Sequence, residues 1–429
     1  MVKINIPYGK TQTNVSIPKK NLLGILHLKR SRVQKSESRI IKEAILNPMG
    51  CCRLKDLVSP NDTIGIVVPD LTRRCPRRLI LPILLDELKK AGVKEKDITI
   101  FMAVGMHSPL TASEMELAFG KNITSRIKVK NHNPTDKSNL TNLGYVAGGV
   151  PVMANKELLY KDQIISIGVI EPHMYAGFSG GPKTLSIGMA GEETISYTHS
   201  PKFLDRPGVK LGAIKDNPFH RVIIEIACLT RLRFIINVIN NDLGRTVFAT
   251  AGEPQLAFYK GIERATMHYR VKVDEPADVV ICGVGWPKDV NLYQASRALT
   301  YITNTQKPIV KKGGLVIISA RCEDGIGKGL GDKRFHEAMV SEKSPADLVK
   351  KMKGKYCLAG EQRAYMVAKS LQYVSCAMVG TEIPEMVKKM HLLAFNDLAA
   401  ALDYAFAEYG ASAKIYVVPH ALVTLPVSR

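Results

Sequence analysis

Four stretches of this sequence place reactive side chains directly after apolar runs. PDLTRR at 69–74 carries Asp70, Thr72 and Arg73, and GMHSP at 105–109 carries His107. EPHMYAGFSGGPK at 171–183 carries His173, Ser179, Gly180, Gly181 and Lys183. A fourth stretch opens at Trp286 and ends on Tyr293, Gln294 and Arg297. Histidine exchanges protons near neutral pH, so His107 and His173, with an Asp-x-x-Arg loop beside them, predict a paired acid and base. Ser179-Gly180-Gly181 can turn successive backbone N–H groups toward an anion, the nest that holds phosphate. Pro182 suits the first position of a helix, which sets Lys183 in its first turn. The positive end of the helix dipole there disfavours the protonated amine and predicts a reactive lysine. Taken alone, the segment reads equally as a tight strand-to-helix turn with a surface lysine.

The glycine run fits neither common nucleotide motif. Pro182 stands where G-x-x-x-x-G-K-[ST] needs its final glycine, and the spacing is not that of a dinucleotide fingerprint. A third histidine, His199, follows the lysine segment in SYTHSP. His27, His132, His220, His268, His336, His391 and His420 have no comparable setting and read as structural or surface residues. Without HExxH or a similar close pair, an all-protein zinc site is not expected.

Such chemistry needs a scaffold that gathers the loops. The continuous apolar run TIGIVV at 63–68 predicts a buried parallel strand. A helix at 78–91 follows, with Ile80, Leu84, Leu85 and Leu88 on one face and Pro82 tolerable only near its first turn. A strand at 98–104 runs into a helix opened by the Thr111/Glu114 capping box. Further strands are predicted at 163–170 and 233–239. A second series holds strands at 278–284, 314–319, 373–379 and 414–418, with a helical segment at 295–305. Alternating strands and helices predict an α/β fold of two domains with mainly parallel sheets. Ligands then bind beyond the carboxyl ends of the strands, where the four stretches lie. The charged, proline-bearing VDEPADVV around Pro276 marks a boundary. The expected division is 1–272 and 273–411, with 412–429 packing back on the first domain.

Composition narrows the class. Hydrophobic residues make up 45% of the 429 and charged residues 23%, as in globular proteins. No apolar run reaches the length of a membrane helix. MVKINIPYGK alternates like a strand rather than a leader, so a cytoplasmic protein is expected. The eight cysteines include no C-x-x-C pair, which argues against a zinc ribbon or a disulfide framework. The net charge of +21, from 60 Lys+Arg against 39 Asp+Glu, raises nucleic-acid binding. The densest basic run, KRSRVQKSESR at 29–39, reads better as a solvated face. No RNA-binding aromatic signature or zinc finger accompanies it. The positive field suits an anionic substrate. From residues alone, a dehydrogenase-like enzyme with an exchangeable nucleotide and a basic nucleic-acid-binding protein remain as rivals.

PDLTRRCP, GMHSP, EPHMYAGFSGGPK, His199 and YQASR together resemble the nickel-dependent lactate racemase family, in its order and at closely matching spacing. The resemblance runs from about Asp70 to Arg297, and EPH…AGFSGGPK is its most specific part. It implies two α/β domains with the active-site cleft between them. It also implies a nickel-pincer nucleotide, a pyridinium-3-thioamide-5-thiocarboxylic acid mononucleotide with nickel. Lys183 matches the lysine that forms the thioamide, and His199 matches the one protein ligand of the metal. His107 and His173 match the acid/base pair. Asp70, with Thr72 in the same segment, matches the cofactor's neighbourhood. Arg73, Tyr293, Gln294 and Arg297 match the substrate side of the cleft. The implied activity is racemisation or epimerisation of a small anionic 2-hydroxy acid by reversible hydride transfer. Cofactor-biosynthesis proteins are the implied partners, and a homo-oligomer is left open.

Two departures bear on the substrate. The family has a lysine where this chain has Arg297, and the exchange changes reach and hydrogen-bond geometry. The family's ring-packing tryptophan is missing, since the single tryptophan is Trp286. The corresponding stretch reads GEQRAY at 360–365, which leaves Arg363 or Tyr365 to stack on the ring. Both changes point to a 2-hydroxy acid larger or more anionic than lactate, another aliphatic or a sugar acid.

Overall fold

The computed structural model describes residues 1–28 and 35–428. Much of the basic run at 29–39 lies outside the described residues. Two six-stranded sheets organise the chain. The first has the order Thr246–Gly252, Leu232–Asn240, Gln163–Val169, Ile64–Pro69, Ile98–Ala103, Lys128–Asn131. All its pairings are parallel except that of the edge strand Thr246–Gly252. Ile64–Pro69 and Ile98–Ala103 are buried along their whole length, as the unbroken apolar runs require of strands covered on both faces. Their neighbour in the order is Gln163–Val169. The carboxyl ends of these three strands therefore emerge side by side and deliver the loops at 69–74, 105–109 and 171–183 to one place.

The second sheet has the order Leu393–Phe395, Ser375–Val379, Val310–Ser319, Ala277–Gly283, Ile415–Val418, Leu22–Ile25, and is parallel throughout. The α/β class with mainly parallel sheets is as expected, but the strands are not shared out as the sequence division had them. Leu22–Ile25, read with the first domain, pairs with Ile415–Val418 at the edge of the second sheet. The hairpin Val2–Tyr8/Thr11–Ile17 follows it, burying Ile4, Ile6, Val15 and Ile17 against Val279, Ile281, Ile317 and Val417. Of the segment 412–429, Ile415–Val418 stays in the second sheet. Its four residues are all buried, and an apolar strand of that kind needs cover on both faces. Only Leu425–Ser428 leaves, to pair with Arg270–Val273.

The helix expected at 78–91 forms as Arg77–Lys90 and buries Ile80, Leu81, Leu84 and Leu88. Pro82 lies inside it, beyond the first turn, and Leu85 is only half-buried. The Thr111/Glu114 capping box forms, with Thr111 N–H donating to Glu114 Oε2 at 2.8 Å and Glu114 N–H to Thr111 Oγ1 at 3.3 Å. The segment at 295–305 becomes two short helices, Leu292–Ala295 and Arg297–Thr303. Among the described residues no helix is long and apolar enough to cross a membrane.

Candidate active site

A cleft opens between the two sheets' loops. From the first strand it receives Asp70, Thr72 and Arg73, and from the second His107. From the third come His173, Ser179, Gly180 and Lys183, followed by His199. Tyr293, Gln294 and Arg297 enter from the second sheet's side. Gly181 and Tyr365, both singled out in the sequence, do not line the cleft.

The first loop is knotted by buried Arg77, which donates to the carbonyls of Pro69 and Asp70. Asp70 Oδ1 accepts from Thr72 Oγ1 at 2.6 Å and from Thr72 N–H at 3.1 Å. Asp70 Oδ2 stands 2.5 Å from His107 Nδ1. Burial works against both charges, yet the pair stabilises them: the Asp70 carboxylate raises the His107 pKa, and His107, Thr72 and Arg73 hold Asp70 down to about 2. The carboxylate fixes the proton of neutral His107 on Nδ1 and leaves Nε2 as the basic nitrogen.

His173 is set the other way. Its Nδ1 accepts from the backbone N–H groups of Tyr175 and Ala176, each at 3.2 Å. The proton of the neutral ring must then sit on Nε2. Burial first, then the charges of Lys183, Arg73 and Arg297, push its pKa well below the ordinary histidine value. The two histidines are therefore not equivalent bases: His107 offers a lone pair to the cleft and His173 offers an N–H.

His199 ends the helix Glu192–Thr198. Its Nδ1–H donates to Ile195 O at 2.9 Å, and Thr198 Oγ1 lies 3.1 Å away. That bond orients the ring and leaves a lone pair on Nε2, the arrangement typical of a metal-ligating histidine. Burial first, then the Lys183 charge, lower its pKa to about 3, so the ligating neutral form prevails. The Tyr175 ring meets both His173 and His199 edge-on, at 5.7 and 5.8 Å between centroids. Among the described residues no group of three His, Cys, Asp or Glu side chains is placed to hold a metal ion, so a metal at His199 would take its other ligands from a bound molecule.

Lys183 lies in the first turn of Pro182–Ser186. Its pKa falls to about 7 through burial first and then the charges of Arg73 and Arg297. The reactive lysine read from the sequence is present, but burial and two guanidinium groups lower its pKa where the sequence argument had invoked the helix dipole. The glycine run is not an open nest. Ser179 N–H donates to Glu171 O at 2.8 Å and Gly181 N–H to Asn237 Oδ1 at 2.7 Å. Gly181 has φ +48°, and a Cβ there would stand 2.6 Å from the Phe258 ring. Its glycine serves the turn and its packing.

Other residues in and beside the cleft had been given no role from the sequence, Glu171, Lys288, Tyr175 and Asp332 among them. Arg73 Nη1 pairs with Glu171 Oε2 at 2.8 Å, and Lys288 Nζ meets the same oxygen at 3.1 Å. Burial opposes the Glu171 charge, but Lys288 and Arg73 together hold its pKa to about 2. Tyr175, in the quoted motif but given no role, is buried with its hydroxyl unpartnered. Asp332 and Arg363 line the cleft from the second sheet's side. Of the two residues proposed to replace the family's tryptophan, Arg363 faces the cleft. Tyr365 instead bonds Asp205 Oδ2 at 2.5 Å.

Residues 8–212 match the family model described as the lactate racemase N-terminal domain, and residues 272–425 match the lactate racemase C-terminal domain. The chain is 34% identical over 426 residues to a lactate racemase from Thermoanaerobacterium thermosaccharolyticum, covering 98% of each. It is 28% identical to a lactate racemase from Lactiplantibacillus plantarum, covering 98% of this chain and 99% of that one. Its structure is similar to that of the lactate racemase apoprotein from Thermoanaerobacterium thermosaccharolyticum, with a TM-score of 0.90, 32% identity and 100% of both chains covered. A protein from Thermotoga maritima shares the fold, with a TM-score of 0.68 and 17% identity over 93% of this chain and 100% of that one.

Proposed function

This chain belongs to the lactate racemase family, and on that premise we propose that it inverts the C2 stereocentre of a 2-hydroxy acid, using a nickel-pincer nucleotide tethered to Lys183 with His199 as its protein ligand. The observation that carries this reading is the convergence of an amine with its pKa lowered to about 7, a histidine with a free Nε2 and a carboxylate-backed histidine on one cleft. The donors fit the cofactor. Neutral Lys183 is a nucleophile suited to amide formation. A single imidazole suits a nickel ion whose remaining ligands are soft and come with the cofactor.

Bound there, the cofactor supplies a hydride acceptor and donor, so a C2–H bond that is a poor acid need not be broken as a proton. The protein's own groups do the rest. Arg73 keeps one side of its guanidinium on Glu171 and turns the other to the substrate carboxylate. His107 Nε2 takes the hydroxyl proton, and Asp70 stabilises the imidazolium that results. His173 donates Nε2–H to the substrate oxygen in its other orientation. To act there as a base it must first release the N–H groups of Tyr175 and Ala176. Lactate and related acids carrying deuterium at C2 test the reading. The holoenzyme should return inverted product with the deuterium retained. Exchange with solvent would sink hydride transfer, and no interconversion of any 2-hydroxy acid would sink the function.

A further inference from the structure

Four cationic side chains are more than nine-tenths buried among the described residues: Arg77, Lys288, Arg297 and Arg363. Two are accounted for. Arg77 donates to the carbonyls of Pro69, Asp70 and Cys75, and Lys288 pairs with Glu171. Arg297 and Arg363 differ from both. Arg297 donates to Gln294 Oε1 at 3.0 Å and to the Tyr301 hydroxyl at 3.2 Å. Arg363 reaches the Met174 sulfur at 3.0 Å, a weak acceptor, and lies 5.2 Å over the Tyr293 ring. Among the described residues neither forms an ion pair with a carboxylate, and the Nε of each is buried with no acceptor. Both line the cleft, and the Arg363 charge acts on Arg297.

Holding two neighbouring cations out of water without a counter-ion is strongly unfavourable. Of the carboxylates nearby, Asp70 is held by His107 and Thr72 and Glu171 by Arg73 and Lys288, while Asp332, whose Oδ2 takes the N–H of Gly329 at 3.0 Å, sets a single negative charge against Arg363 without forming an ion pair. One carboxylate does not balance two guanidinium groups, so the remaining negative charge must arrive with a ligand. A monocarboxylate on Arg73 leaves this pair unanswered. Arg297 also faces the proton-transfer histidine, being among the charges that act on His107.

We propose that Arg297 and Arg363 form a second oxyanion subsite, and that the substrate is a 2-hydroxy acid bearing a second carboxylate. This rests on the 2-hydroxy acid reading above. The same two guanidinium groups would also suit the phosphate of a nucleotide, and the experiment separates these sources. Titration calorimetry on the full-length apo chain compares succinate, propionate and inorganic phosphate, for wild type, Arg363→Met and Arg363→Lys. Succinate should bind wild type at least about tenfold tighter than propionate, the scale of one charge-assisted hydrogen-bonded contact. That preference should collapse in Arg363→Met and return in part in Arg363→Lys. In the nickel-loaded enzyme the malate-to-lactate ratio of kcat/KM should fall about tenfold or more in Arg363→Met, through KM. Equal binding of succinate and propionate by wild type overturns the proposal. So does a loss confined to phosphate, which would assign the pair to the nucleotide. Interconversion of lactate without any preference for malate sinks the subsite alone. Failure on every 2-hydroxy acid sinks the activity, while succinate binding still reports on the subsite.

Discussion

Asp70→Asn tests the pairing that makes His107 a base. The change keeps the shape and removes the charge 2.5 Å from His107 Nδ1. A carboxylate at such a distance favours the imidazolium and raises the His107 pKa. The His107 side chain is 38% exposed, so water screens part of the pair. His107 works as a base only when neutral. In the wild type, kcat/KM therefore falls as the pH drops below the raised His107 pKa. In Asp70→Asn that acid limb moves to lower pH. The plateau also falls, because the imidazolium formed during turnover loses its counter-charge. The loss should be about 10- to 100-fold, the worth of a hydrogen bond to a charged group. The assay is the pH profile of interconversion by the nickel-loaded enzyme, with NMR titration of His107 in the apo protein as a second readout. An unmoved acid limb with a plateau within about twofold of wild type would refute the assignment of His107 as the base that Asp70 supports.

The other predictions concern the metal, the buried charges and the lysine. His199→Ala should lose nickel while keeping the modification at Lys183, whereas His107→Ala keeps both; equal nickel content by elemental analysis would remove the ligand assignment. Glu171→Gln leaves Arg73 and Lys288 buried without their shared partner and should cost about 3–5 kcal/mol in urea unfolding at pH 7; a change below about 0.5 kcal/mol contradicts the pairing. Glu171 and Asp70 are both held to about 2, below their unfolded values of roughly 4. Their stabilisation is present above pH 4 and drains as the pH falls toward 2, so the wild-type urea midpoint should fall over that window and Glu171→Gln should show a shallower fall. In the apo protein, brief acylation at pH 7 should modify Lys183 ahead of lysines with ordinary pKa values; uniform labelling by peptide mapping would contradict its lowered pKa.

Much of the first sheet could be read directly, because Ile64–Pro69 and Ile98–Ala103 are buried on both faces and their sequences are unbroken apolar runs. Leu22–Ile25 carries no such mark. It is a four-residue edge strand whose partner, Ile415–Val418, lies nearly the whole chain away. The strand-end loops disclosed Asp70, His107, His173 and Lys183 for the same reason that the strands were visible. The glycine run misled because the acceptor that takes the Gly181 N–H belongs to Asn237, on another strand. Lys288, which pairs with Glu171, and Asp332, which lines the cleft, escaped because their places depend on how the two sheets meet, which no local pattern encodes. The unequal tautomers of His173 and His107 come from bonds to residues two and three positions on in one case and to a different loop in the other.

The most direct test of the central claim is intact mass, peptide mapping and nickel content of wild type and Lys183→Ala, each produced alongside the cofactor-making proteins. The account predicts a covalent adduct on Lys183 with about one nickel per wild-type chain, and neither in the variant. An active wild-type racemase with an unmodified Lys183 and no nickel would contradict it.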